Sequence, residues 1–154
     1  MSESLSRRLH QSKFEGPHHE ALLAVMLANA AVDSMLDEVF DGSGITQPQY
    51  NVLRILNGVY PGAHCRGEIA RRMVRRAPDL TRMLDRLVRL GLVERAKGER
   101  DHRQSMAKIT DRGRSKLEEL RPKVQRMTQL LADRMNADEA KQLVTLLERV
   151  IVND

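Results

Sequence analysis

The chain is short of the residues that bring ready-made chemistry or covalent bracing. Cys65 is the only cysteine, which excludes an intramolecular disulfide framework and any multi-cysteine zinc site. There is no tryptophan, and two phenylalanines and two tyrosines are the only aromatic rings besides histidine, so an aromatic-lined pocket is not expected. No run of about 18 uncharged apolar residues occurs, so no spanning helix is expected. The opening stretch MSESLSRRLHQSKF has no apolar centre and does not read as a secretory signal. No internal repeat or low-complexity tract is evident. At 154 residues the chain has the length of one domain, or of one domain with appended helices, and the expectation is a soluble cytoplasmic protein.

Enzyme motifs are missing as well. Gly42-Ser43-Gly44 lacks the third glycine of a dinucleotide loop, and no glycine-rich loop ends in the Lys-Ser/Thr of a phosphate cradle. Serines, histidines and acids occur without a motif that frames a nucleophile. His18-His19-Glu20 is the one cluster of metal-ligating types, but neighbours on a helix diverge by about 100°. Polar residues at a helix start explain it better. His64-Cys65 is equally thin. Cys65 lies beside Arg66 near a helix start, surroundings that activate thiols in general; a small, partly buried thiol is the plainer reading. Neither an enzyme, a metal site nor a cofactor is expected.

What the chain does have is arginine in one place. Lys and Arg number 26 against 21 Asp and Glu, a net charge of +5. Residues 66–103 hold eleven arginines and Lys97 against six acids, net +6, and the remaining residues net −1. Guanidinium forks suit phosphate oxygens and guanine edges better than ammonium groups do. A solvated arginine-rich face is the alternative.

Periodicity divides the chain into helices. Residues 1–15 are polar and read as frayed or loosely helical. Gly16-Pro17 opens a helix whose Leu22, Val25, Met26, Val32, Leu36 and Phe40 share one side, with Asn29 and Asp33 as a polar break. That break is either a solvated gap or a polar contact in an interface. Gly42-Ser43-Gly44 ends the helix. Thr46-Gln47-Pro48-Gln49 is a capping box, opening a helix with Tyr50, Leu53, Ile55 and Leu56 inside. Residues 58–62 end it. A short helix over 66–74 would bury Ile69, Ala70 and Met73; a tight turn and a helix over 78–90, stopped by Gly91, complete a helix-turn-helix outline. Residues 92–96 and 104–109 read as a hairpin with a charged tip. Thr110 can cap a further helix carrying Leu117, Leu120, Val124, Met127 and Leu131, with Pro122 expected to bend it. Asn136 to Glu139 repeats the capping logic. The final helix, with Leu143, Leu146, Leu147, Val150 and Ile151, is too broadly apolar for an exposed helix. It packs on another chain, on the first helix of its own chain, or both.

The helix over 78–90 carries the most information. Leu80, Met83, Leu84 and Leu87 gather on one side; Pro78, Thr81, Arg82, Asp85, Arg86 and Arg89 occupy the other. A major groove admits one helix, whose N-terminal residues reach base edges. Thr81 and Arg82 are therefore the expected base readers, with Arg86 and Arg89 on phosphates and Arg75 and Arg76 on the backbone. Asp85 and Arg89, four apart, are expected to pair. At the hairpin tip Lys97 and Arg100 can enter a minor groove, with Glu99 or Asp101 pairing an arginine to fix the tip.

These segments resemble the MarR family of winged-helix transcriptional regulators. The residues are Leu80-Thr81-Arg82-Met83-Leu84-Asp85-Arg86-Leu87, then Gly91-Leu92-Val93-Glu94-Arg95, Asp101-His102-Arg103 and Thr110-Asp111-Arg112-Gly113. Upstream, Thr46-Gln47-Pro48-Gln49-Tyr50-Asn51-Val52-Leu53 is similar to the family's second helix. Order and spacing match over roughly residues 20–150. Two features depart from the pattern: His102 stands where a basic or polar residue such as arginine is common, and Val74-Arg75-Arg76 lacks a frequent glycine.

The resemblance implies a mainly α fold with a small β-hairpin wing, a winged helix-turn-helix with N- and C-terminal dimerisation helices. Its parts would be an N-terminal segment (1–16), a dimerisation helix (17–44), the winged helix-turn-helix (45–110) and C-terminal dimerisation helices (111–154), all in one integrated domain. A homodimer would place Leu22, Met26, Leu143, Leu147, Val150 and Ile151 at its interface. The helix over 78–90 becomes the recognition helix and 92–109 the wing, in which Asp101 braces and Arg103 contacts DNA or supports the wing against it. The partner would be double-stranded DNA, a pseudo-palindromic operator, and the protein a repressor associated with the nucleoid. The resemblance also implies control by a small molecule, often a phenolic or other aromatic acid, bound between the dimerisation region and the winged helix; Met26, Met35 and Tyr50 are the lining candidates. A winged helix can also bind protein or act architecturally, which is the alternative function.

Overall fold

Proline and glycine punctuate this chain where helices start and stop. The computed structural model describes residues 3–11, 13–75, 77–97 and 105–151, which fall in two compact units, residues 1–42 and 43–154. In the first unit, α1 (Glu3–Leu9) is a formed helix where sequence led us to expect a frayed or loosely helical segment. Gly16 precedes α2 (Pro17–Phe40), where proline at the first position needs no amide partner and Glu20 lies at the positive end. Asn29 Nδ2 donates to Asp33 Oδ2 at 3.2 Å, so the polar break in the apolar stripe is bridged along the helix itself. Leu22 and Met26 are 56% and 58% exposed.

The second unit begins after Gly42, whose φ of +66° lies in the left-handed region that a Cβ disfavours. Helix α3 (Gln47–Asn57) starts with the expected capping box: Gln49 N donates to Thr46 Oγ1 at 3.5 Å, and Thr46 N to Gln49 Oε1 at 2.9 Å. Its buried apolar residues are Val52, Leu53 and Leu56, whereas Tyr50 and Ile55 are half-buried. The shift from the expected set has a simple cause. Gln49, Val52, Leu53 and Leu56 lie at i, i+3, i+4 and i+7 and form one stripe packed among α6 (Asp111–Ala132), β3 (Ser105–Ile109), α4 (Arg66–Arg72) and α5 (Leu80–Arg89), while Tyr50 and Ile55 flank it on either side.

Strand β1 (His64–Cys65) leads directly into α4. Two residues have no period to read, and sequence gave no sign of this strand. It completes an antiparallel sheet of order β1-β3-β2, in which β2 is Val93–Lys97, His64 pairs with Ala107 and Val93 with Ile109. Helix α4 stops two residues before the expected end, with Ile69 fully buried but Ala70 exposed. Helix α5 is likewise shorter than the expected 78–90: Asp79 is its N-cap, accepting from Arg82 N at 3.4 Å, so Pro78 lies outside it. Its far end closes with Gly91 at φ +70°, Gly91 N bonding Val88 O and Leu92 N bonding Leu87 O, the paired bonds of a Schellman motif.

Helix α6 is capped by Thr110 and runs on through Pro122. Gly113 in its first turn is buried, and a Cβ there would overlap the Leu92 carbonyl oxygen and come within 2.7 Å of Ile109 Cγ1. Glycine lets α6 lie directly on the wing strands. Along α6 burial fades: Leu117 and Leu120 are buried, Val124 and Met127 half-buried, Leu131 exposed. Helix α7 (Ala137–Glu148) opens with the expected Asn136 capping box yet has no buried residue at all. The core proper is Val52, Leu53, Leu56, Ile69, Leu84, Leu87, Val93, Ile109 and Leu120. Each such side chain stabilises the fold by about 1.5–3 kcal/mol relative to exposure.

Candidate nucleic-acid interface

The interface is built outward from the buried side of α5. Leu80, Leu84 and Leu87 are buried and Met83 half-buried, which fixes the rotation of the helix. Thr81, Arg82, Asp85, Arg86 and Arg89 are thereby turned outward, and all five are exposed, as is Pro78 just before the helix. The division expected from periodicity is the one observed.

Pairing within this face differs from expectation. Asp85 does not bond Arg89. Arg95 of β2 reaches across instead, its Nη2 donating to Asp85 Oδ1 at 2.6 Å and its Nη1 to Ser105 Oγ at 3.2 Å. The sheet lies close enough to outcompete the helical neighbour four residues away. Arg82, expected to read a base, is 86% exposed and held by Asp79 at both ends, backbone amide to Oδ1 and Nη1 to Oδ2 at 3.2 Å. Among the described residues no carboxylate pairs with Arg86 or Arg89.

Other groups hold the helix in place. Asn51 Oδ1 of α3 accepts from Val74 N at 3.2 Å and so anchors the turn between α4 and α5. Arg75, one residue on, is exposed. Thr110 Oγ1 donates to Gly91 O at 2.7 Å and accepts from Gly113 N at 3.0 Å, linking the end of α5 to the start of α6. Arg66, at the start of α4, donates to Thr81 Oγ1 at 3.4 Å. Sequence reading missed Arg66; its place directly after His64-Cys65 and before a helical pattern was the available signal. With Thr81, Arg95 and Ser105 it lines an open concavity of about 600 Å³. The Arg66 guanidinium and the Thr81 hydroxyl there suit an anionic oxygen, whereas Arg95 is already paired with Asp85 and Ser105.

His64 and Cys65, weighed above as a thin cluster, form the corner between β1 and α4. Glu68 Oε2 accepts from Cys65 N at 3.0 Å and lies 3.2 Å from His64 Nδ1. The Cys65 amide, with smaller help from the thiol and from His64, holds the Glu68 carboxyl below its ordinary pKa against some desolvation. His64 is buried, and its Nε2 has no partner among the described residues.

The remaining candidates are placed as follows. Lys97 is the last residue of β2, paired with Ser105, and so ends the strand instead of lying in the loop. Arg76, Arg100, Asp101 and Arg103 lie outside the described residues, with Glu99 and His102. Leu143, Val150 and Ile151 are exposed and Leu147 half-buried. Of the proposed pocket residues, Met26 is exposed and Met35 half-buried on α2. Tyr50 is half-buried on α3, and burial, partly offset by Arg54, raises its phenol pKa. No helix among the described residues is long and apolar enough to cross a membrane.

Comparison with known proteins gives one consistent result. The MarR family model matches residues 45–105, from the Thr46 cap to the start of β3. No curated protein matches the chain by sequence. Among solved structures, a MarR transcription factor from Planctomyces limnophilus is 31% identical, with 88% of this chain and 98% of that one covered and a TM-score of 0.67. A mutant MarR from E. coli complexed with operator DNA is also 31% identical, covering 84% of this chain and 91% of that one at a TM-score of 0.73. The PcaV transcriptional regulator from Streptomyces coelicolor, in complex with its natural ligand, is 25% identical, with coverage of 88% and 92% and a TM-score of 0.68. With a recognition-type helix, an antiparallel wing and this level of identity over nearly whole relatives, the chain belongs to the MarR family of winged-helix transcriptional regulators.

Proposed function

We propose that this chain is a sequence-specific DNA-binding repressor that acts as a homodimer on a pseudo-palindromic operator. The observation that carries this reading is α5: its apolar stripe is buried and its outer face offers Thr81, Arg82, Arg86 and Arg89 to a groove. Thr81 and Arg82, near the N-terminal end, are positioned to read bases; Arg86, Arg89 and Arg75 meet phosphates. Arg66, beside Thr81, adds a phosphate contact. The wing enters the adjacent minor groove, with Lys97, Arg100 and Arg103 supplying cations and Asp101 bracing. The E. coli relative in complex with operator DNA supports this arrangement.

Dimerisation covers the apolar faces that α2 and α7 expose, through Leu22, Met26, Leu143, Leu147, Val150 and Ile151. Two-fold symmetry then sets the two recognition helices roughly 34–36 Å apart, one turn of DNA. A small-molecule effector would act by favouring a spacing that DNA does not fit. The ligand in the Streptomyces relative supports an effector, and the scarcity of aromatic rings here argues for one held by polar and aliphatic contacts.

The test is a fluorescence-anisotropy titration with duplex DNA from immediately upstream of the coding sequence, beside a scrambled duplex, at two salt concentrations. Preference for the native duplex is expected, with a log–log salt slope of roughly −7 if the dimer neutralises about eight phosphates. Equal, salt-steep binding to both duplexes would replace this reading with an architectural role. Absence of binding at low salt would replace it with a protein-interaction role.

A further inference from the structure

Asp85 is an acid on a face otherwise built to meet a polyanion. Its carboxylate faces outward from the middle of α5, between Arg82 and Arg86 in sequence. In isolation it could only repel phosphate. The structure gives it a different partner: Arg95 Nη2 donates to Asp85 Oδ1 at 2.6 Å, while Nη1 of the same guanidinium donates to Ser105 Oγ at 3.2 Å. One planar fork therefore joins α5 to both strands of the wing. Arg95 pairs with Ala107, and the ladder among the described residues runs on to Lys97 and Ser105. The fork thus holds the sheet near the point where its two-stranded part leaves the core.

We propose that Asp85 is a positioning residue, which through Arg95 and Ser105 fixes the angle between the recognition helix and the wing. The inference rests on the DNA-binding reading for its functional consequence. Past Met106, where the pairing with β1 stops, the sheet is two-stranded, and such a ribbon is marginally stable by itself and twists freely. The hydrophobic contacts of Leu92, Val93 and Ile109 and the pairing of β1 with β3 fix its base, but neither supplies a directional bond to α5. A guanidinium held at both nitrogens supplies direction. Helix and wing would then meet their two grooves as one rigid reader. Without the strut the wing would have to be ordered at the moment of binding.

Electrostatics and positioning predict opposite signs for one conservative variant. Asp85→Asn removes a negative charge from the DNA-facing surface and keeps the side chain's size. Charge alone would tighten binding. The amide oxygen can still accept from Arg95, but loss of the ionic part of the strut should weaken binding to the upstream duplex about two- to fivefold, the range expected of a half-exposed ion pair, at about 0.1 M salt. Binding that is unchanged or tighter overturns the proposal.

A second readout needs no DNA. Amide hydrogen exchange across β2 and β3 would be measured in wild type, Asp85→Asn, Arg95→Gln and the double variant. Each single variant should speed exchange in both strands, and the double should add little to either. Unchanged exchange, or effects that multiply in the double variant, overturns the strut. If wild type binds neither duplex, the DNA reading fails, and the exchange data still decide whether Asp85 positions the wing.

Discussion

Helices α5 and α7 make an instructive pair. They are similar in length, 10 and 12 residues, and each is capped by a side-chain oxygen, from Asp79 in one and Asn136 in the other. Yet α5 buries Leu80, Leu84 and Leu87 and turns its charges outward, while α7 buries nothing and leaves Leu143, Val144 and Leu146 exposed. Local rules therefore form both helices, but among the described residues of the second unit only α5 buries its apolar side. A helix with an apolar face that its own chain leaves bare is an incomplete structure in water. The apolar side of α5 is covered among the described residues; that of α7 is not.

The contrast breaks most visibly at Leu147. In the proposed dimer Leu147→Asp puts a charge into an apolar seam, which costs several kcal/mol unless the charge is paired or neutralised. Sedimentation velocity should show a monomer at concentrations where wild type is a dimer. A mutant that sediments as an intact dimer would show that α7 does not form the seam. On the α5 side the most sensitive spot is Gly113, where a Cβ would overlap the Leu92 carbonyl oxygen. Gly113→Ala should destabilise the second unit by about 2–3 kcal/mol, since backbone must move to relieve it. Chemical denaturation measures this. A loss below about 0.5 kcal/mol, the size of an ordinary surface change, would mean that α6 shifts on the sheet without strain.

Arg82 sharpens what α5 is for. Arg82→Ala should cost on the order of 1–2 kcal/mol on the specific duplex, toward the low end for a base contact because Arg82 must first leave Asp79. The control is the scrambled duplex. An equal loss on both would make Arg82 a phosphate contact and leave Thr81 as the candidate reader.

Much of this molecule was legible in the sequence, and the limits have physical causes. Helices with sustained period and side-chain caps, such as α3 from Thr46 and α7 from Asn136, were readable at their starts, although Val150 and Ile151, read as part of the final helix, lie past the end of α7 at Glu148. The exposed charged face of α5 was readable because one stripe of leucines fixes its rotation. The bare apolar face of α7 was visible as an excess of leucine and valine for a helix without a partner. What could not be read is what depends on segments distant in sequence coming together. Strand β1 has two residues and exists through its pairing with Ala107 and Met106. Arg95 reaches Asp85 across ten positions, and Arg66 reaches Thr81 across fifteen. A helical rule that looks four residues ahead predicts Asp85–Arg89 and has no means of seeing the sheet. The expected contacts of Arg100, Asp101 and Arg103 lie outside the described residues, so the wing tip is carried by resemblance alone.

The smallest predicted effect concerns the corner that sets α4 beneath α5. Glu68 is held below its ordinary pKa, first by the Cys65 amide and then by the thiol and His64. A carboxyl whose folded pKa is depressed contributes stability that is fully present above its unfolded pKa and is lost as pH falls through its folded value. The stability of wild type relative to Glu68→Gln should therefore be flat from neutral pH down to about 5, then shrink as acid protonates Glu68. Glutamine can still accept from the Cys65 amide, so the variant isolates the charge from the hydrogen bond. Glu68 is one-third exposed, and solvent screening keeps the difference small. Denaturation of both proteins at several pH values between 7 and 3 measures it. A difference that stays constant across that range would mean the corner depends on the shape of residue 68, with its charge irrelevant. A difference that closes in acid ties the seating of α4, and with it the turn into α5, to an ionised Glu68.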